Sequence, residues 1–197
     1  MATLGTLKTR VSARLKDPQN TSVSSAEVTN VINDAIAFWA KRKFWFNDVS
    51  QNVTLTENSP TLPTLSTPLE EIYQTNGIVI NYGNNRWPLT KVTGDKYDEL
   101  NVEGQGIPYC FTYRNGGYEL YYYPDQAYTA VVRGIKAYED LTGDDDTNDF
   151  TDEASDLIMY ESLARAYAEF RQDDKMEAYY SARAESEYQN LKRHTRS

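Results

Sequence analysis

The sequence predicts an α+β fold: a helical bundle formed by the N- and C-terminal helix pairs, with an antiparallel β lobe inserted between them. Three observations predict it. Apolar residues recur at three- and four-residue steps at both ends of the chain. The middle alternates apolar and polar residues in short runs, and those runs are joined by turns of glycine and asparagine. The expected division is an N-terminal helical hairpin over 1–47, the β lobe over 48–140 and the closing helix pair over 141–197.

Leu4, Leu7, Val11 and Leu15 share one face of the first helix. "KDPQNTS" ends it, because Pro18 fixes φ and offers no N–H. Ser24 and Glu27 form a capping box that opens the second helix, whose stripe is Val28, Val31, Ile32, Ala35 and Trp39. Lys41, Arg42 and Lys43 follow at its C-terminal end, where the helix dipole favours cations. "NVTLTEN" reads as a strand, and "GIVINYGNNRWPLTKV" as two strands around a Gly-Asn-Asn turn. "TGDKYDEL" reads as a short helix capped by Thr93. "IPYCFTYRNGGYELYYYPD" is a hairpin, with Asn115, Gly116 and Gly117 supplying the positive φ of its turn. "YTAVVRGIKAY" is the last strand. A polar loop, "LTGDDDTNDF", leads to an N-cap expected at Thr151. From there "ASDLIMYESLARAYAEFR" forms one helix, "QDDK" a turn, and "MEAYYSARAESEYQNLKR" the closing helix, expected to end near Leu191.

Composition removes several function classes. The formal net charge of -9 argues against a generic basic surface for nucleic acid. Cys110 is the one cysteine and His194 the one histidine. A Ser-His-Asp triad, a cysteine zinc site and an intrachain disulfide all need more than that. Neither a P-loop nor a G-x-G-x-x-G occurs, so no cofactor is expected. No apolar run approaches the roughly 20 residues of a membrane-spanning helix, and "MATLGTLKTR" lacks the apolar core of a signal peptide.

The acidic run "DDDTND" does not follow the calcium-loop pattern: counted from Asp144, the sixth residue is Asp149 rather than glycine and the twelfth is Ser155 rather than glutamate. It reads as a solvated loop, with no metal site. Carboxylate pairs such as Glu70–Glu71 and Asp173–Asp174 arise readily among 29 acidic residues, and nothing in their spacing places two in one cleft. No catalytic activity is expected.

"YELYYYPD" is the most unusual segment. Strand alternation sends Tyr118, Leu120 and Tyr122 one way and Tyr121 and Tyr123 the other, so one of these tyrosine pairs should face out of the monomer. Tyrosine gives a large rigid contact with a polar tip, which suits an interface; stacking of sugars or bases uses the same residue. Tyr121 and Tyr123 are the candidates for partner contact. The tail "KRHTRS" is the second candidate, with Lys192, Arg193 and Arg196 and no acidic residue.

The ordered segments resemble the head-to-tail adaptor (connector) proteins of tailed phages. The resemblance rests on "LGTLKTRVSARLKDPQNTSVSSAEVTNVINDAIAFWAKRKFW" with its L-x-D-P-x-N break, on "TLPTLSTPLEEIYQTNGIVI", on the hairpin that ends in tyrosine-proline, and on "SLARAYAEFRQDDKMEAYYSARAESEYQNL". A second proline usual after the tyrosine-proline is replaced by Asp125-Gln126. The resemblance implies a structural virion protein, assembled in the host cytoplasm. It implies a ring, twelve-fold in portal-based connectors, set between the portal and a downstream tail (nozzle) protein, with DNA passing through without specific binding. It carries no active site. The residue-level alternatives are a carbohydrate- or receptor-binding β module of a tail, and a hydrolase using carboxylates alone.

Overall fold

Each element begins where local chemistry satisfies free backbone donors. In the computed structural model, which describes residues 1–17, 19, 21–100 and 104–195, the order opens with α1 (Leu4–Arg14) and α2 (Ser25–Ala40). Then come β1 (Asp48–Leu55), β2 (Leu69–Ile72), β3 (Ile78–Tyr82), β4 (Asn85–Pro88), β5 (Thr90–Lys91) and α3 (Gly94–Asp98). β6 (Cys110–Arg114), β7 (Gly117–Tyr121) and β8 (Tyr128–Lys136) follow. The chain closes with α4 (Asp149–Glu153), α5 (Ser155–Ala166), a π-helical turn (Tyr167–Arg171) and α6 (Asp174–Thr195). The class is α+β, as the alternation of patterns predicts.

The chain divides into two compact units. One is Met1–Asn47 with Tyr138–Ser197; the other is Asp48–Ala137. The helical unit has one apolar core, to which α1, α2, α5 and α6 all contribute. Leu4, Leu7, Val11 and Leu15 are buried on the predicted face. Trp39 and Leu157, from opposite ends of the chain, are buried in the same cluster. Full burial of such a side chain contributes about 1.5–3 kcal/mol each. The capping box of α2 forms as read: Ser24 Oγ accepts from Glu27 N–H, and Glu27 accepts from Ser24 N–H. α1 ends before Pro18, which lies outside the described residues. Lys16 takes a left-handed φ of 58° there, and Asp17 gathers the turn that follows. Its carboxylate accepts from the Thr21 N–H and hydroxyl and from the Ser22 and Val23 N–H groups, at 2.8–2.9 Å.

Three details of the helical unit differ from expectation. The N-cap before α4 is Asn148, not Thr151. Asn148 Oδ1 accepts from the N–H groups of Phe150 and Thr151, while Thr151 Oγ1 accepts from Asn148 N–H, so Thr151 is the third residue of a capping box. The expected single helix is broken at Ala154, whose φ of -135° and ψ of 27° lie outside the helical region, so α4 and α5 are separate. α6 continues to Thr195 rather than ending near Leu191, which puts Lys192, Arg193 and His194 in its last turn. Cations there complement the helix dipole, and this extends the helix past the apolar stripe.

The β unit is one lobe built of two sheets that share a core. In the first, β8 lies between β1 and β3, β4 is beyond β3, and β2 pairs with the end of β8; all pairs are antiparallel. The second has the order β5-β6-β7, with β5–β6 parallel and β6–β7 antiparallel. The β6–β7 turn is the predicted one, with φ of 53° at Asn115 and 77° at Gly116. Leu55, Ile72, Ile78, Ile80, Phe111, Leu120, Ala130 and Val132 are buried together in its core. Gly134 is required where β2 joins β8 across a bulge: a Cβ there would sit 2.1 Å from the Glu71 carbonyl oxygen.

Candidate functional site

In the β unit, the tyrosine segment is folded onto itself. Leu120 is fully buried and Tyr118 is half-buried against the same core, its hydroxyl accepting from Ile72 N–H at 3.1 Å. The opposite face is covered by α3 and the residues after it. Tyr121 is 8% exposed, its ring edge-on to Tyr97 and Tyr109, and its hydroxyl donates to the Leu100 carbonyl at 2.7 Å. Tyr97 in turn donates to the Leu120 carbonyl at 3.0 Å, and burial with the Glu119 carboxylate nearby pushes its phenol up to about 12. Tyr122 and Tyr123 are half-buried. Neither alternation pair therefore faces out of the monomer. The regular alternation ends with β7 at Tyr121, and the chain supplies its own cover for the second face. The large exposed aromatics among the described residues of this unit are elsewhere: Tyr109 just before β6, Tyr113 within it, and Tyr82 and Trp87 on β3 and β4. Cys110 is buried in the strand, and that burial raises its thiol to about 11.

In the helical unit, the acidic loop is built into the fold. Asp146 accepts from the N–H groups of Gly143 and Thr142 at 2.7 and 2.8 Å, which holds its carboxyl below the usual range. The Asp146 and Asp144 carbonyls accept from Leu4 and Gly5 N–H, at 3.0 and 2.9 Å, so the loop caps the first turn of α1. Lys8 pairs with the Asp144 carboxylate at 2.7 Å. Asn33 on α2 exchanges two hydrogen bonds with the backbone of Leu141, at 3.0 and 3.1 Å. A cleft of about 270 Å³ beside α1 is lined by Lys8, Thr9, Ser12, Ser25 and Asp144 among others, and its one acid and one base are already paired with each other. Among the described residues, no group of three or more His, Cys, Asp or Glu is placed to hold a metal ion.

The third surface joins two sequence segments that local patterns treat separately. After α2 the chain turns through "KRKFWFN", held by Asn47, which is fully buried. Asn47 Oδ1 accepts from Phe44 N–H at 2.8 Å, and its amide donates to the Arg42 and Ala40 carbonyls at 2.8 and 3.4 Å. Phe44 and Phe46 then pack on Phe150, and Phe44 also on Tyr188 of α6. That leaves Trp45 39% exposed, edge-on to His194 at 5.9 Å. The Arg42 guanidinium lies 4.5 Å from the Trp39 ring centroid and 4.8 Å from that of Tyr188, and Lys192 lies 5.5 Å from the same Tyr188 ring. The basic run after α2 and the basic end of α6 are thus one surface. Lys192 and Arg193 belong to it; Arg196 lies outside the described residues. The signal that could have revealed the junction is the pair of cationic runs in an acidic chain, each beside aromatic residues.

A family model described as SU10 adaptor protein matches residues 2–197. The chain belongs to the SU10 adaptor protein family. The match covers both compact units, so neither is an appendage foreign to it. The family is one of structural phage adaptors, and the resemblance to head-to-tail adaptors is carried by the whole chain and not by one motif. Membership gives the chain a structural role in the virion, among other head and tail proteins. No helix among the described residues is long and apolar enough to cross a membrane. None of the curated proteins matches the chain.

Proposed function

We propose that the chain assembles as a ring, twelve copies in number, between the portal and the downstream tail (nozzle) protein, and that the genome passes through the ring without specific binding. The observation that carries this reading is the match of residues 2–197 to an adaptor family. The absence of catalytic residue sets in the sequence supports a purely structural role, since one histidine and one cysteine leave little for chemistry. An acidic chain suits a conduit, because phosphates that are not held can slide.

The portal contact is assigned to the end of α6, with Lys192, Arg193 and Arg196. In a chain of net charge -9 a local excess of cations finds its natural partner on an acidic protein surface, and repetition around a ring multiplies a weak contact. The tyrosine contact with a neighbour rests on Tyr123 together with the exposed Tyr109 and Tyr113. Tyr121 supports that surface from beneath, through its edge contacts and its bond to Leu100. A sugar platform on these tyrosines gains no support from a Tyr121 ring covered by α3. The proposed division of labour is assembly through the helical segments 1–47 and 141–197, and tail-side contact through the β segment 48–140.

Negative-stain imaging of the protein mixed with its portal tests the reading. Expected is a second ring stacked on the portal, with the portal's own symmetry. Portal particles without added density, at protein concentrations well above those of the subunits, would overturn it.

A further inference from the structure

Lys41, Arg42, Lys192 and Arg193 come from distant parts of the sequence and have no carboxylate partner among the described residues. Arg42 and Lys192 share the Tyr188 ring. They therefore stand within about a Debye length of each other, roughly 10 Å at 0.1 M salt. Folding thus brings these like charges together. The C-terminal dipoles of α2 and α6 offset part of that repulsion and leave a cationic surface. Trp45 and Phe38 flank it, 39% and 42% exposed. Arginine and tryptophan around a half-open aromatic surface are what protein interfaces concentrate at their energetic centres.

A matching surface exists on the same chain. Glu139, Asp140 and Asp145 are exposed and have no cationic partner among the described residues. The segment that carries them is already fixed by Asn33, by the Asp146 turn and by the backbone of α1. Docking on a fixed loop gives up little conformational entropy. Two copies of a chain with net charge -9 repel at long range, so their contact has to match local patches of opposite sign.

We propose that the surface of residues 41–45 with Lys192 and Arg193 of one copy docks on residues 139–145 of a second copy. The inference rests on the ring assembly proposed above and names its subunit contact; it moves Lys192 and Arg193 from the portal to the neighbouring copy and leaves the portal to Arg196. Because the two patches are different surfaces of one chain, the contact is heterologous, the kind that closes into a ring or runs on as a filament.

The test is zero-length carbodiimide cross-linking of an equal mixture of unlabelled and ¹⁵N-labelled protein, with the portal present and at low salt. Expected are mixed-isotope cross-links from Lys41 or Lys192 to Glu139, Asp140 or Asp145. Arg193→Glu, at an exposed position and leaving both cross-linking lysines in place, should lower their yield by about tenfold, the change that 1.4 kcal/mol makes. Adding Asp145→Arg to the same chain should restore the links from Lys41 and Lys192 to Glu139 and Asp140. Mixed-isotope links that map elsewhere while rings still form on the portal overturn this contact and leave the ring reading intact. Absence of any ring by imaging overturns both. If a short DNA duplex, and not added protein, shields Lys41 and Lys192 from acetylation, the surface binds nucleic acid and the proposal falls.

Discussion

Replacing Asn47 by alanine should destabilise the helical unit by about 2–6 kcal/mol. Two of its three hydrogen bonds are short, the 2.8 Å bonds with Phe44 N–H and the Arg42 carbonyl; the 3.4 Å bond to Ala40 adds little. The site is fully buried, so water does not readily replace the amide. Leaving a buried donor or acceptor unsatisfied costs about 1–3 kcal/mol each, and two such groups give the range stated. Asn47→Asp keeps an acceptor for Phe44 but turns the donors toward Arg42 and Ala40 into acceptors, so it should be no milder. Urea unfolding followed by tryptophan fluorescence measures this. A Trp87→Phe background removes the β-unit signal, leaving Trp39 and Trp45 to report on the helical unit. Expected is a lower midpoint with an unchanged slope. A loss below about 0.5 kcal/mol would refute the reasoning and assign the turn to the packing of Phe44 and Phe46 instead.

Phe44→Ala, at a fully buried ring in edge contact with Phe150 and Tyr188, should cost about 3–5 kcal/mol in the same assay. The Asp17 carboxyl is held well below its usual range, chiefly by the Thr21 hydroxyl and then by Val23 N–H. Its contribution is therefore present above the unfolded value, near pH ~4, and is lost as pH falls through the depressed folded value. Asp17→Asn should lower the melting temperature at neutral pH and flatten the acid limb of a stability–pH profile. Asp145→Asn should leave the melting temperature unchanged, whereas Asp146→Ala should lower it, because only Asp146 ties down Thr142 and Gly143 N–H. Gly134→Ala should destabilise the β unit, since the added Cβ meets the Glu71 carbonyl; circular dichroism melts would show it.

Local signals were enough wherever one segment sets its own structure. The capping box at Ser24, the stripe from Leu4 to Leu15 and the Asn115-Gly116 turn each lie within one short stretch of chain, at most about three helical turns long, and each formed as read. Sequence reasoning failed where two signals compete or where distant segments meet. Asn148 displaced Thr151 as cap because one amide oxygen serves two N–H groups. Tyr121 is buried because α3 folds over it, and alternation along one strand carries no information about that cover. The parallel pairing of β5 with β6 is likewise a tertiary fact. The two basic runs were legible one at a time, but their union depends on Phe44, Trp45 and Tyr188 packing across the unit.

The chain leaves the helical unit after Asn47 and returns at Tyr138, and both points are clamped by a single ring. Phe46 and Tyr138 each lie edge-on to Phe150, with centroids 5.1 Å away. The doorway to the β unit is therefore anchored by residues that belong to the other unit. A short glycine bridge from Asn47 to Tyr138 should leave the helical unit folded on its own, and a different β module grafted at the same two residues should inherit a ready-made socket.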